Sequence, residues 1–271
     1  MTRTLLLVAL TLVLLVSLAR AQTGFSHEVG ASLGGTLLGL RDRHSSPLIY
    51  SDFGIAPGIA YVHRGDHDRH LFEAAYYSDD MGTTIDNFHA LNRGGRIRYT
   101  YARQAFEFQL FDAPLRVFLG GAVGSYLSHS DFMYLYAPLN VYGQGNESWY
   151  WSNSLDAVAM IELQPRERYW FRAALWLPLI SSISRPTYSP SGNYNYVDQD
   201  WKYSPPWPWK GGSLEFFLDN FAFDFHAAYA CPFFWNFDFQ LSYEFSYAGL
   251  KGTQETRMYQ NTLRGGILLC F

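Results

Sequence analysis

Between Phe237 and Tyr247 every second residue is large and apolar, and every residue between is polar. Phe237, Phe239, Leu241, Tyr243, Phe245 and Tyr247 share one parity; Asp238, Gln240, Ser242, Glu244 and Ser246 share the other. Side chains of a strand alternate between its two faces, so this segment has one apolar face and one polar, charged face. The segment from Met258 to Phe271 repeats the pattern. Phe271, Leu269, Ile267, Gly265 and Leu263 lie on one face; Cys270, Leu268, Gly266, Arg264, Thr262 and Gln260 lie on the other. The chain stops on an aromatic residue.

The same period recurs earlier. Strands are predicted around Phe25–Leu37, Phe53–Tyr61, Phe72–Tyr76, Ile97–Tyr101, Val117–Val123, Leu155–Ile161, Tyr169–Leu177 and Phe217–Phe225. With the last two, that makes about ten, an even number. Pro57 and Pro178 fall inside predicted strands, where a missing N–H interrupts the ladder, and a bulge is expected at each. The parity flips between Tyr101 and Phe106, so Phe106–Phe111 is a bulged continuation or a separate hairpin. Connections at 42–49, 79–92, 129–150, 183–210 and 251–255 alternate with those at 64–68, 103–113, 164–167 and 230–235. Most long connections fall on one side. The short 251–255 and the longer 103–113 are exceptions.

Two arrangements bury alternating strands, a sandwich and a barrel. A secreted sandwich keeps its large apolar residues in one core. Here the apolar face carries consecutive Phe, Tyr and Leu, while the other carries charges of both signs. Lipid outside and a polar lumen account for both faces. Aromatics make up 18% of the chain and charged residues only 16%, which suits that reading. A mean hydropathy of -0.11 does not oppose it, because alternation hides the apolar band from any averaging window. The expected fold is all-β: an up-and-down antiparallel transmembrane β-barrel with long outer loops and short periplasmic turns. Trp149, Tyr150, Trp151, Tyr169 and Trp235 are expected in interfacial girdles.

The N-terminus agrees. Arg3, the apolar run Leu5–Leu18 and Ala19-Arg20-Ala21 form a signal-peptide pattern, so residues 1–21 are expected to be removed and 22–271 to form the barrel. A net charge of -4 and export both argue against a nucleic-acid partner. The closing strand resembles that of bacterial outer-membrane β-barrels. That resemblance implies an outer-membrane location, surrounding lipid, and recognition of Phe271 by the barrel-assembly machinery. The aromatic-rich strands are similar to those of Bacteroidota outer-membrane proteins.

Candidate functional residues follow from this frame. Glu28, Asp52, Glu73, Asp156, Glu162, Asp224, Asp238 and Glu244, with Arg96, Arg98, Arg116, Arg172 and Arg264, are predicted in the lumen. They form a salt-bridged plug or line a selective small-solute channel. Asp224 and His226 share a lumen face, as a carboxylate orienting a general base would. They resemble the Asp-His pair of omptin proteases, ten-stranded barrels with a further acidic pair; Asp79-Asp80 is the matching acidic sequence here. The resemblance implies a membrane-embedded hydrolase. Adjacent residues point to opposite faces, which departs from it. His63, His67 and His70 cluster at a turn and are metal-ligand candidates, though polar turns often have this composition. Cys231 and Cys270 enter an oxidising compartment and are predicted near one rim, where a disulfide can form. The segment Arg185–Gly211 carries Tyr188, Tyr194, Tyr196, Trp201, Trp207 and Trp209 among Pro, Asn and Asp. Such loops suit a glycan or protein partner. No cofactor is implied. The function expected is structural or surface-binding, with channel and hydrolase as alternatives.

Overall fold

The computed structural model describes residues 26–42, 48–85, 88–136, 141–184, 212–217, 220–250 and 256–271. The signal sequence and the ligand candidates of Arg185–Gly211 lie outside the described residues. Twelve strands are present: β1 (His27–Asp42), β2 (Tyr50–Ile55), β3 (Gly58–Arg64), β4 (Asp68–Gly82), β5 (Phe88–Leu110), β6 (Ala113–Tyr136), β7 (Val141–Arg166), β8 (Tyr169–Ser184), β9 (Gly212–Phe216), β10 (Asn220–Phe234), β11 (Phe237–Leu250) and β12 (Thr256–Cys270). All pairings are antiparallel. β12 pairs with β1, so the sheet closes on itself. β2 and β3 lie end to end between β1 and β4. β9 and β10 lie end to end along β8. The wall therefore has ten positions, as the alternation predicts.

The wall is inside-out. Phe53 is 73% and Leu33 64% exposed, whereas Leu38 and Trp176, on the inner face, are fully buried. On β5 the outward residues Gly95, Ile97, Tyr99 and Tyr101 are bracketed by Arg93 and Arg103. Roughly ten residues at about 3.3 Å each, tilted by about 40°, rise about 25 Å, the height of a barrel's lipid-facing band.

Three irregularities locate the predicted breaks. At Ala56–Pro57 the ladder is interrupted with no register shift, so the expected bulge is absent there. Ala56 N–H still donates to Gly34 O (2.9 Å), and Pro57 O accepts from Tyr76 N–H (3.0 Å). The donor that proline lacks is lost. At Pro178 the bulge is present: Leu155 opposes Ile180 while Asp156 opposes Pro178, leaving Leu179 extra. A second bulge, at Ala105 between Gln104 and Phe106, flips the parity. It keeps Phe106 and Phe108 on the outer face, so this run is a strand continuation. The 103–113 connection thereby shrinks to a two-residue turn at Phe111–Asp112, whose φ values of 51° and 61° are those of a primed hairpin turn. The predicted 129–150 loop is also mostly strand, since β6 runs to Tyr136 and β7 starts at Val141. Long paired segments satisfy their own backbone groups, which a free loop would leave to water.

The lumen is filled in layers. Towards the long connections Leu38, Leu40, Tyr50, Tyr77, Met81, Phe132, Tyr150, Ile183 and Met258 pack together. Tyr150 thus faces inward and is buried, which corrects its assignment to a girdle; Trp149 is buried too but has the outward parity of His129. A second apolar group, including Val62, Leu71, Phe118, Met160 and Trp176, lines the middle. The charged side chains occupy the remaining inner surface.

Candidate functional site

The inward parity of each strand brings the lumen charges into two networks. The central one is built on β4, β5, β10, β11 and β12. Arg98 donates to Asp224 Oδ2 (2.9 Å) and Glu73 Oε2 (3.0 Å). Its guanidinium lies 3.6 Å above the Trp176 ring, and Trp176 Nε1 donates to Thr100 Oγ1 (3.0 Å). Arg96 reaches Asp224 and Ser246, each at 3.3 Å, and pairs with Glu244. Arg264 binds Glu244 Oε2 (2.8 Å) and donates Nε–H to Ala56 O (3.1 Å). The carbonyl freed by the break before Pro57 is therefore capped from the opposite side. Gly34 allows this approach, because a Cβ there would fall 2.7 Å from Arg264 Cγ and 2.0 Å from Leu263 O.

The second network lies nearer the short turns. One carboxylate, Glu162, takes Arg69 (2.9 Å), Arg172 (3.0 Å) and Arg64 (3.3 Å). Arg64 also binds Glu28 at 2.7 Å. Arg64 and Arg172 lie over the Trp170 ring, and Arg69 lies over Phe118. Planar guanidinium groups can stack and form ion pairs at once, which suits them to this crowded interior. Arg168 pairs with Asp238 at the mouth.

Apart from Asp52, exposed on β2, Asp156, buried outside both, and Arg116, which pairs with Glu107 (3.1 Å), these networks absorb the predicted lumen residues. Arg64, Arg69 and the inward tryptophans Trp170 and Trp176 were not among them. Arg64 and Arg69 flank the turn at Gly65, where polar sequence reads as loop. Their positions opposite one another in the ladder, Arg64 against Arg69, are the signal that places both inside.

Asp224 and His226 share the lumen face, but each is engaged separately. Asp224 accepts from two arginines. His226 Nδ1 stands 3.7 Å from Glu73 Oε1, and its ring stacks on Trp176. The adjoining cavity holds about 60 Å³, room for a few waters and not for a peptide. Asp79 is buried inside the wall, whereas Asp80 points outward beside His89. The pair is thus split across the two faces, as adjacent strand residues must be.

At the short-turn rim, rings from neighbouring strands form a row. Phe271 stacks on His27 (5.5 Å), His27 on His63 (4.7 Å), and His63 faces His70 (5.6 Å). Tyr61 and Tyr99 hydroxyls hydrogen-bond His27 Nδ1 and His70 Nδ1, each at 2.8 Å. His67 lies in the turn and supplies a carbonyl to Gln104 N–H. Among the described residues no group of three His, Cys, Asp or Glu is placed to hold a metal.

The two cysteines are free, contrary to the predicted disulfide. Cys231 opposes Phe239 and shares its outward parity. Cys270 opposes Glu28 inside the lumen, where its thiol donates to Asp238 Oδ2 (3.4 Å). They occupy one rim but opposite faces of the wall. Chain position alone gives the rim; parity gives the face, and it forbids the bond.

No family model and no curated protein matches the chain. Among solved structures, the outer membrane protease OmpT from Escherichia coli is similar, with a TM-score of 0.56 and 9% identity over 92% of this chain and 99% of that one. Neisserial surface protein A gives a TM-score of 0.35 and 12% identity over 92% of this chain and 100% of that one. Ail, the attachment invasion locus protein of Yersinia pestis, gives 0.33 and 9% over 91% and 100%. The fold is that of the outer-membrane β-barrels.

Proposed function

We propose that the protein resides in the bacterial outer membrane as a non-conducting barrel that presents aromatic surface loops to a glycan or protein partner. The observation that carries this reading is the filled lumen. Arginines cross it to carboxylates on other strands, and an apolar layer covers the end nearest the long connections. Among the described residues, the lumen holds a central cavity of about 60 Å³ and one of about 270 Å³ at the short-turn mouth; a larger, open space of about 1100 Å³ is lined mostly by residues of outer parity such as Ile59, Tyr76, Ile97 and Trp151. Isolated charges in such a space are costly, so paired ones hold the wall together instead of passing ions.

With the lumen committed to structure, recognition falls to the loops at the other rim. Their tyrosines, tryptophans and prolines make rigid amphipathic contact surfaces. Planar-bilayer recordings test the closed lumen: the wild-type protein is expected to leave the bilayer silent. Glu244→Ala together with Arg264→Ala serves as the comparison. Steady wild-type conductance would replace this reading with a small-solute channel. Peptide hydrolysis that disappears in Asp224→Asn would replace it with a membrane-embedded hydrolase. Glycan-array and cell-adhesion assays comparing wild type with Trp201→Ala and Trp207→Ala test the loop role. Equal binding by all three would remove these residues from it.

A further inference from the structure

Two buried carboxyl groups, Asp156 and Asp79, remain outside both networks, and of the two only Asp79 has neither oxygen partnered among the described residues. Asp79 lies on the inner face of β4 between Tyr77 and Met81, against the apolar layer near the long connections. It is 1% exposed, and neither carboxylate oxygen has a hydrogen-bond partner among the described residues. A bare carboxylate in such surroundings demands neutralisation.

Its neighbour in the ladder is Asn92, fully buried on β5. The Asn92 amide donates both hydrogens towards β6, to Ser128 Oγ (2.8 Å) and Ser130 Oγ (2.7 Å). Its carbonyl oxygen therefore turns back towards β4 and Asp79, and it too is unpartnered. On the other side, Gly54 of β2 opposes Asp79, and the carboxylate fills the space of the missing side chain: a Cβ at Gly54 would fall 2.1 Å from Oδ1. Asp52, of the same parity as Gly54, adds a second negative charge near Asp79; it is exposed, and its Oδ1 accepts from Phe53 N–H (2.6 Å). Three acceptor oxygens without donors thus lie on the neighbouring strands β4 and β5, with the exposed Asp52 carboxylate on β2.

We propose that Asp79, Asn92 and Asp52 form a site for a hard divalent cation, calcium in particular, on the inner wall between β2 and β5. Calcium takes oxygen ligands from carboxylates, side-chain carbonyls and water at once, and extracellular sites bind it in the sub-millimolar to millimolar range. A single proton on Asp79 satisfies one acceptor pair and leaves the Asp52 charge in place. The bound cation would tie β2, β4 and β5 together just above the break at Ala56–Pro57.

The test uses the full mature chain folded in detergent, with calcium itself as ligand. The readouts are the heat-unfolding midpoint in CaCl2 against EDTA, and calcium affinity by calorimetry. Calcium is expected to raise the midpoint by several degrees. Asp79→Asn should weaken calcium binding at least tenfold. Asn92→Asp decides between cation and proton. It adds a ligand charge, so in the cation site it tightens calcium binding and makes stability more calcium-dependent. If Asp79 is instead protonated, or is hydrogen-bonded by the opposite rotamer of the Asn92 amide, calcium leaves the midpoint unchanged. Asn92→Asp then destabilises equally in CaCl2 and EDTA. That result overturns the proposal.

Discussion

His27 and Phe271 join the two ends of the barrel wall: each donates its N–H to the other's carbonyl at 2.9 Å, and their rings stack at 5.5 Å. The first and last strands meet at this pair, so the ring closes on the residue where the sequence stops. The stack continues through His63 to His70 along the rim. Deleting Phe271, or replacing it with Ser, is expected to lower the yield of assembled, heat-modifiable protein and leave unassembled chain behind. His27→Ala, which keeps the terminal aromatic, should assemble but unfold at lower temperature. Semi-native electrophoresis before and after heating checks both. Normal migration of the Phe271 deletion would separate the closing strand from assembly.

Glu162 is the only carboxylate shown bridging three arginines among the described ion pairs, and it is buried. Removing one partner of a buried pair leaves uncompensated charge and costs about 3–5 kcal/mol. Glu162→Gln should therefore lose stability on that scale in urea unfolding from detergent or lipid. Glu107→Gln, which breaks the exposed pair with Arg116, should lose under about 1 kcal/mol. Equal losses would mean that the lumen is as well hydrated as the surface.

Leu263 faces outward on β12 and is 56% exposed, while its neighbour Thr262 is buried in the lumen. Leu263→Arg places a charge in the lipid band and should cost about 2–4 kcal/mol if it lies near the midplane. Leu263→Phe should be close to neutral. Reversible unfolding in bilayers measures the difference, and a tolerated arginine would contradict the lipid-facing assignment.

Cys231 and Cys270 lie on opposite faces of the wall, so isolated protein should contain two thiols. Denaturation and alkylation without reductant, followed by intact mass, should show two adducts. In the folded protein, Cys231 should react before Cys270, which is buried and hydrogen-bonded to Asp238. A mass with no adducts would restore the disulfide and require a different register for β10 or β12.

The parity of Phe237–Tyr247 and of Leu263–Phe271 determined a good deal alone. Alternation is a property of the extended backbone and holds before any strand meets another. It was enough to define strands, their outer and inner faces, and the lumen positions of Arg98, Glu162 and Glu244. The bulge at Ala105 was legible as a phase flip, because an inserted residue must reverse the faces. Partners were not legible, since they are set when the sheet closes. Only closure places Glu162 of β7 among Arg64, Arg69 and Arg172. Only closure brings Arg264 of β12 to the carbonyl of Ala56. The inward Trp170 and Trp176 were also hidden, because an apolar ring at a lumen position departs from the binary pattern; each acquires its role from the guanidinium groups above it. Asp79 shows the division most clearly. Adjacency in the sequence already put Asp79 and Asp80 on opposite faces. The ladder then set Asp79 against Gly54 and Asn92, where its carboxylate is buried.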